Sequence, residues 1–116
     1  MAPLVHLNLT VADLARSEVF YAHWFGFEQR PETFSDGTRF IRNDDGFDLA
    51  LHPGTPPSPP APTVHFGFRT DDADEVRALL AALQDEGVTI TEHHDEEGYV
   101  SLKLLDPDGY EIEVYA

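Results

Sequence analysis

The sequence predicts an α+β fold. Two βαβββ modules form a curved, mostly antiparallel eight-stranded sheet around a cavity, with one helix per module on the outside. Three observations predict it. The chain repeats: His6-Leu-Asn-Leu-Thr-Val11 returns as His65-Phe-Gly-Phe-Arg-Thr70 at an offset of 59, and Asp45-Gly46-Phe47-Asp48 returns as Asp108-Gly109-Tyr110-Glu111 at an offset of 63. Each copy runs from a period-two segment through a helical spacing into further short period-two segments. A proline-rich stretch separates the copies. A repeat of this length is one supersecondary unit used twice, so it governs the fold assignment.

The elements follow in order. Leu4 to Val11 alternates, with Leu7, Leu9 and Val11 on one face and His6, Asn8 and Thr10 on the other. Asp13 is the expected N-cap of a helix on which Leu14, Ser17, Tyr21, Trp24 and Phe25 recur at helical spacing, and Gly26 is its expected stop. Short strands are expected over 27–30, 38–43 and 47–52, punctuated by Gly37, Gly46 and Gly54. His52 to Thr63 holds six prolines and reads as an extended connector. Thr63 to Arg69 then repeats the first strand, with Val64, Phe66 and Phe68 opposite His65, Gly67 and Arg69. Asp71-Asp72 cap a second helix whose buried stripe is Val76, Leu79, Leu80 and Leu83, and Gly87 ends it. Val88–Glu92, Tyr99–Leu104 and Tyr110–Tyr115 are the last three strands, with a tight turn at Asp106-Pro-Asp-Gly109. The expected organisation is one domain over 1–116: a first module over about 1–52, the connector over 53–62 and a second module over about 63–116.

Composition narrows the function. There is no cysteine, which excludes disulfides, thiolate metal sites and cysteine nucleophiles. The net charge of -15, from 22 acidic against seven basic residues, repels nucleic-acid backbones and anionic lipid, so neither is an expected partner. No secretory signal and no membrane span is visible, and the cytoplasm is the expected compartment.

Strand parity puts His6, His65 and Glu113 on the faces turned from the helices. A carboxylate on an inner sheet face is costly to bury alone, and a cation offsets that cost. Two imidazoles and a carboxylate are the ligand set of an open divalent-metal site, suited to Fe(II), Mn(II), Zn(II), Ni(II) or Co(II). The repeat places Ala50 opposite Glu113, so one copy lacks the carboxylate. Tyr99, Ser101 and Lys103 share the cavity parity, as do Glu111, Tyr115 and Asn8. Of these, Tyr99, Lys103 and Tyr115 are secondary candidates for a proton-handling role. Lys103 and Arg69 are the basic residues expected on that face. His93-His94-Asp95-Glu96-Glu97 resembles a metal cluster by composition, but it falls in an expected hairpin loop and reads as a solvated turn.

Four segments together resemble the vicinal oxygen chelate superfamily: His6-x-x-Leu9-x-Val11, Asp13-Leu14-x-x-Ser17-x-x-Phe20-Tyr21-x-x-x-Phe25-Gly26-Phe27, His65, and Asp106-Pro-Asp-Gly-Tyr-Glu-Ile-Glu113. That group includes glyoxalase I, extradiol dioxygenases, fosfomycin-resistance thiol transferases, methylmalonyl-CoA epimerase and bleomycin-resistance proteins. The resemblance implies a divalent-metal-dependent enzyme of dioxygenase or lyase type acting on a small molecule chelated through vicinal oxygens, or else a small-molecule-binding, drug-sequestering protein without catalysis. It also implies a homodimer, with halves of two chains meeting in each site. Glyoxalase I and the epimerase carry a fourth ligand where Ala50 stands, with His52 nearby as a substitute. The three-ligand pattern is closer to the dioxygenases and the fosfomycin enzymes.

Overall fold

The computed structural model describes residues 1–58 and 64–116, with the backbone alone at 31–33. It divides into two compact units, Met1–Ser58 and the described part of Pro59–Ala116. The first contains β1 (His6–Val11), α1 (Leu14–Phe25), β2 (Glu28–Thr33), β3 (Arg39–Arg42) and β4 (Asp48–Pro53). The second contains β5 (Phe66–Arg69), α2 (Ala73–Asp85), β6 (Ile90–Glu96), β7 (Tyr99–Leu105) and β8 (Glu111–Tyr115). Each unit has its own four-stranded sheet, in the orders β1-β4-β3-β2 and β5-β8-β7-β6. In each, the first and last strands pair in parallel and the other pairs are antiparallel. The expected βαβββ order therefore holds in both copies. Residues 59–62 of the expected connector lie outside the described residues.

Local chemistry explains these elements. Asp13 is extended and its carboxylate accepts from the Arg16 amide at 3.0 Å; Asp72 accepts from the Glu75 amide at 2.9 Å. Glu75 reaches back to accept from the Asp71 amide at 3.1 Å, so the start of α2 is closed reciprocally. Gly26 ends α1 in the left-handed region at φ 69°, where a side chain would be strained. The repeat extends to its turns. The Asn43 side chain accepts from the Phe47 amide, and the Asp106 carboxylate accepts from the Tyr110 amide, both at 2.9 Å. Each side chain substitutes for a backbone acceptor and fixes the entry into the next strand.

Alternation decides which face is core. In the first unit Leu9, Val11, Ile41, Leu49 and Leu51 are buried together with Tyr21 and Ser17 of α1. In the second, Leu102, Leu104, Ile112 and Val114 are buried with Val76 and Leu83 of α2. Each such aliphatic side chain contributes about 1.5–3 kcal/mol when fully removed from water. The opposite faces carry the polar set, and this leaves His6 and Glu113 on the side away from the helices.

Several boundaries differ from expectation. Leu4 and Val5 are exposed and precede β1. His65 lies just before β5, not within it. Residues 93–96 are not a loop: β6 continues to Glu96, and the turn to β7 is only Glu97-Gly98. Strand pairing of His93 to Glu96 with β7, together with the pair between Asp95 and Arg77 of α2, holds that segment extended.

Candidate functional site

His6 opens β1, where its neighbour across the parallel ladder is Asp48. Its Nδ1 lies 3.1 Å from the Asp48 carbonyl oxygen. A carbonyl only accepts, so Nδ1 is the donor, and in the neutral ring the lone pair lies on Nε2. The ring is exposed and stands 5.6 Å from Phe40 of β3. An imidazole tied through one nitrogen to a carbonyl is the usual state of a metal-binding histidine, because the tie fixes both tautomer and orientation. His6 fits such a role.

Register gives the repeat a physical form. In the first unit Asn8 pairs with Ala50; in the second Gly67 pairs with Glu113. Both pairs occupy the same lattice position two residues beyond His6 and His65. Ala50 is therefore the positional counterpart of Glu113. Ala50 is buried, flanked across the ladders by Asn8 and Phe40.

Glu113 is half-buried on β8, and among the described residues its carboxylate has no hydrogen-bond partner. Two features shape its surroundings. A Cβ at Gly67 would lie 2.7 Å from the Glu113 carbonyl oxygen, so only glycine lets β5 approach β8 this closely. We expect Gly67→Ala to push the strands apart and cost roughly 1–3 kcal/mol, measured by denaturant unfolding. An unchanged stability would show that β5 gives way freely. The second feature is Lys103, the antiparallel partner of Glu113.

The other sequence-selected residues separate on inspection. Lys103 donates to Glu92 at 2.8 Å, and Glu92 lies 2.6 Å from Nε2 of His94. The Glu92 hydrogen bond holds the Lys103 ammonium above the ordinary lysine range, and Lys103 in turn holds Glu92 below the ordinary carboxylate range. Lys103 is thus a fixed positive charge at neutral pH and a poor base. Tyr115 is half-buried opposite Ser101, on the face of Glu113. Tyr99 is 43% exposed and stands against the His94 ring, which leaves it at the sheet margin. His52 is engaged elsewhere, with Nδ1 2.8 Å from the Thr38 hydroxyl and 3.7 Å from Asp36.

Sequence reasoning missed one group. Arg42 pairs across β3 and β4 with Asp48, and so lies on the face of His6, alongside Phe40. The expectation that Arg69 and Lys103 supply the basic residues of that face was therefore incomplete. The signal was available in the alternation Phe40, Arg42 and in the parity of Asp48. Arg42 holds Asp48 through two bonds of 2.7 and 2.9 Å, and this keeps the Asp48 carboxyl below its ordinary range. Among the described residues no group of three or more His, Asp or Glu side chains is spaced to hold a metal ion. His65 and Glu113 belong to the second unit and His6 to the first.

The Glyoxalase/Bleomycin resistance protein/Dioxygenase superfamily profile matches residues 4–114. The chain belongs to this superfamily. A curated superfamily relative, the catechol-2,3-dioxygenase of Bacillus subtilis (strain 168), is 31% identical over 119 residues, covering 96% of this chain and 40% of that protein. The chain thus spans two fifths of that relative's length. A solved structure described as a "possible glyoxalase" from Bacillus cereus superposes with TM-score 0.84 at 27% identity, each chain covered 100%. A point mutant of the fosfomycin resistance protein FosX of Listeria monocytogenes, in complex with Mn(II) and 1S,2S-dihydroxypropylphosphonic acid, superposes with TM-score 0.83 at 20% identity, covering 100% of this chain and 90% of that one. This last similarity is one of fold. The two βαβββ modules are those of the vicinal oxygen chelate fold of the superfamily. Among the described residues no helix is long and apolar enough to cross a membrane.

Proposed function

We propose that this chain is a divalent-metal-dependent enzyme acting on a small molecule through two neighbouring oxygens, with His6, His65 and Glu113 as the protein ligands. The observation that carries the reading is the register equivalence of Ala50 and Glu113. It leaves two imidazoles and one carboxylate, a set that keeps positions open for substrate. The Nδ1 tie of His6 to Asp48 supports it, since that histidine is already oriented. Fe(II), Mn(II), Zn(II), Ni(II) and Co(II) all suit these donors. Such an ion supplies Lewis-acid stabilisation of negative charge on a substrate oxygen.

Of the dioxygenase and lyase types, the small side chain at Ala50 favours the dioxygenase type, because fewer protein donors leave more room for substrate. The 31% identity to a protein named catechol-2,3-dioxygenase points the same way. Lys103 stays charged and adds positive potential near Glu113 without taking up protons. Tyr115 is the better placed of the two tyrosines to donate one. Oxygen uptake on catechols after anaerobic loading with Fe(II) tests the reaction type. Metal uptake and catechol binding with no turnover would favour the alternative, a small-molecule-binding protein without catalysis.

The same reading proposes a homodimer in which His6 of one copy works with His65 and Glu113 of the other. Mixed dimers of His6→Ala and Glu113→Ala protein then hold one intact site, so random exchange should restore about a quarter of all sites. Absence of recovery, once exchange is verified by labelled subunits, would assign each site to a single chain.

A further inference from the structure

A row of charged side chains crosses three strands of the second unit. Register pairs Glu92 of β6 with Lys103 of β7, and Lys103 with Glu113 of β8. Residues paired across a ladder share a face. Asp95 of β6 turns to the other face, where it meets Arg77 of α2, so the row lies on the face away from the helix. Lys103 is the only lysine in the chain, and it stands between two carboxylates. Its flexible four-carbon stem brings either one within reach. It takes Glu92: Nζ lies 2.8 Å from Oε2. The other oxygen, Oε1, lies 2.6 Å from Nε2 of His94. Both oxygens of Glu92 are thus engaged, and its carboxylate is oriented from two sides. Glu113, on the opposite flank of Lys103, has no hydrogen-bond partner among the described residues. Glu111, the diagonal neighbour of Lys103, accepts from Thr91 at 2.9 Å.

We propose that Glu92 is a positioning residue for the metal site: it holds the Lys103 ammonium away from Glu113 and so keeps that carboxylate available to a divalent cation. The inference rests on Glu113 being a metal ligand, as proposed above; the capture of Lys103 does not. Its physical basis is competition. A carboxylate paired with an ammonium must give up that partner before it takes a metal ion, so apparent affinity falls with the fraction of protein in which the pair is formed. Without Glu92, the carboxylate directly opposite Lys103 is that of the ligand.

The experiment is calorimetric titration with Zn(II) of the parent, Glu92→Gln, Lys103→Met and the double variant. Glu92→Gln should weaken Zn(II) binding about threefold or more. In the Lys103→Met background the same change should cost less than half that factor, because no ammonium is left to divert. Equal losses in both backgrounds mean that Glu92 acts only through its own charge, and overturn the proposal. A second measurement needs no metal. In EDTA, isotopically labelled lysine gives one ε-methylene carbon signal, that of Lys103. Glu113→Gln should shift this signal about twice as far or more in the Glu92→Gln protein as in the parent. Equal shifts overturn the capture of Lys103. Zn(II) affinity that ignores Glu113→Ala would reject the metal site, and the lysine signal then decides alone whether Glu92 restrains Lys103. Zn(II) binding that depends on Glu113 but not on Glu92 would keep the metal site and reject this inference.

Discussion

Glu113→Ala is expected to lower divalent-metal affinity about tenfold or more, since even partners one step removed from a metal cost that much when lost. The change removes a donor without touching the core: Ile112 and Val114 on either side are the buried residues of β8, and Glu113 faces away from α2. Folding should be preserved. Glu111→Ala is the control, because Glu111 shares the face and the strand but bonds to Thr91 at 2.9 Å. It should leave metal affinity unchanged. Titration with Zn(II) or Mn(II) reads both. Equal affinity in Glu113→Ala and the parent protein would place the site elsewhere.

Ala50→Glu is expected to have the opposite effect. In the proposed site, the register equivalence with Glu113 would make the new carboxylate a fourth donor. Zn(II) or Ni(II) binding should tighten by roughly 1–3 kcal/mol, about the strength of a charge-assisted contact. Ala50 is buried between Asn8 and Phe40, so the metal-free variant carries an uncompensated carboxylate and should be less stable than the parent. Metal should therefore raise its Tm more than that of the parent. Any oxygen-dependent activity should fall, as fewer positions remain for substrate. A folded variant with unaltered metal affinity would mean that Ala50 does not face the metal.

The repeat made most of this architecture legible, because both copies obey the same constraints. Asp13 and Asp72 cap, Gly26 stops a helix, and Asn43 and Asp106 set equivalent turns. What the sequence hid lies mainly at sheet edges. β6 is exposed along nearly its whole length, and both of its faces are charged: Asp95 pairs with Arg77 of α2 while Glu92 pairs with Lys103. Hydrophobic alternation cannot mark such a strand, so 93–96 read as a loop. β2, also at an edge, runs on to Thr33 through Pro31, beyond the expected end at 30. At the candidate site, parity correctly set His6, Lys103 and Glu113 on the faces away from the helices. It could not supply the Glu92–His94 link to Lys103, because this depends on where the β6–β7 register shifts.

Pulsed EPR of Mn(II)-loaded protein tests the three-donor site most directly, because nitrogen couplings count the imidazoles bound to the ion. The account predicts two histidine nitrogens in the parent protein and one in each of His6→Ala and His65→Ala. Couplings from two imidazoles that persist unchanged in both variants, or no imidazole coupling at all in the parent, would contradict it.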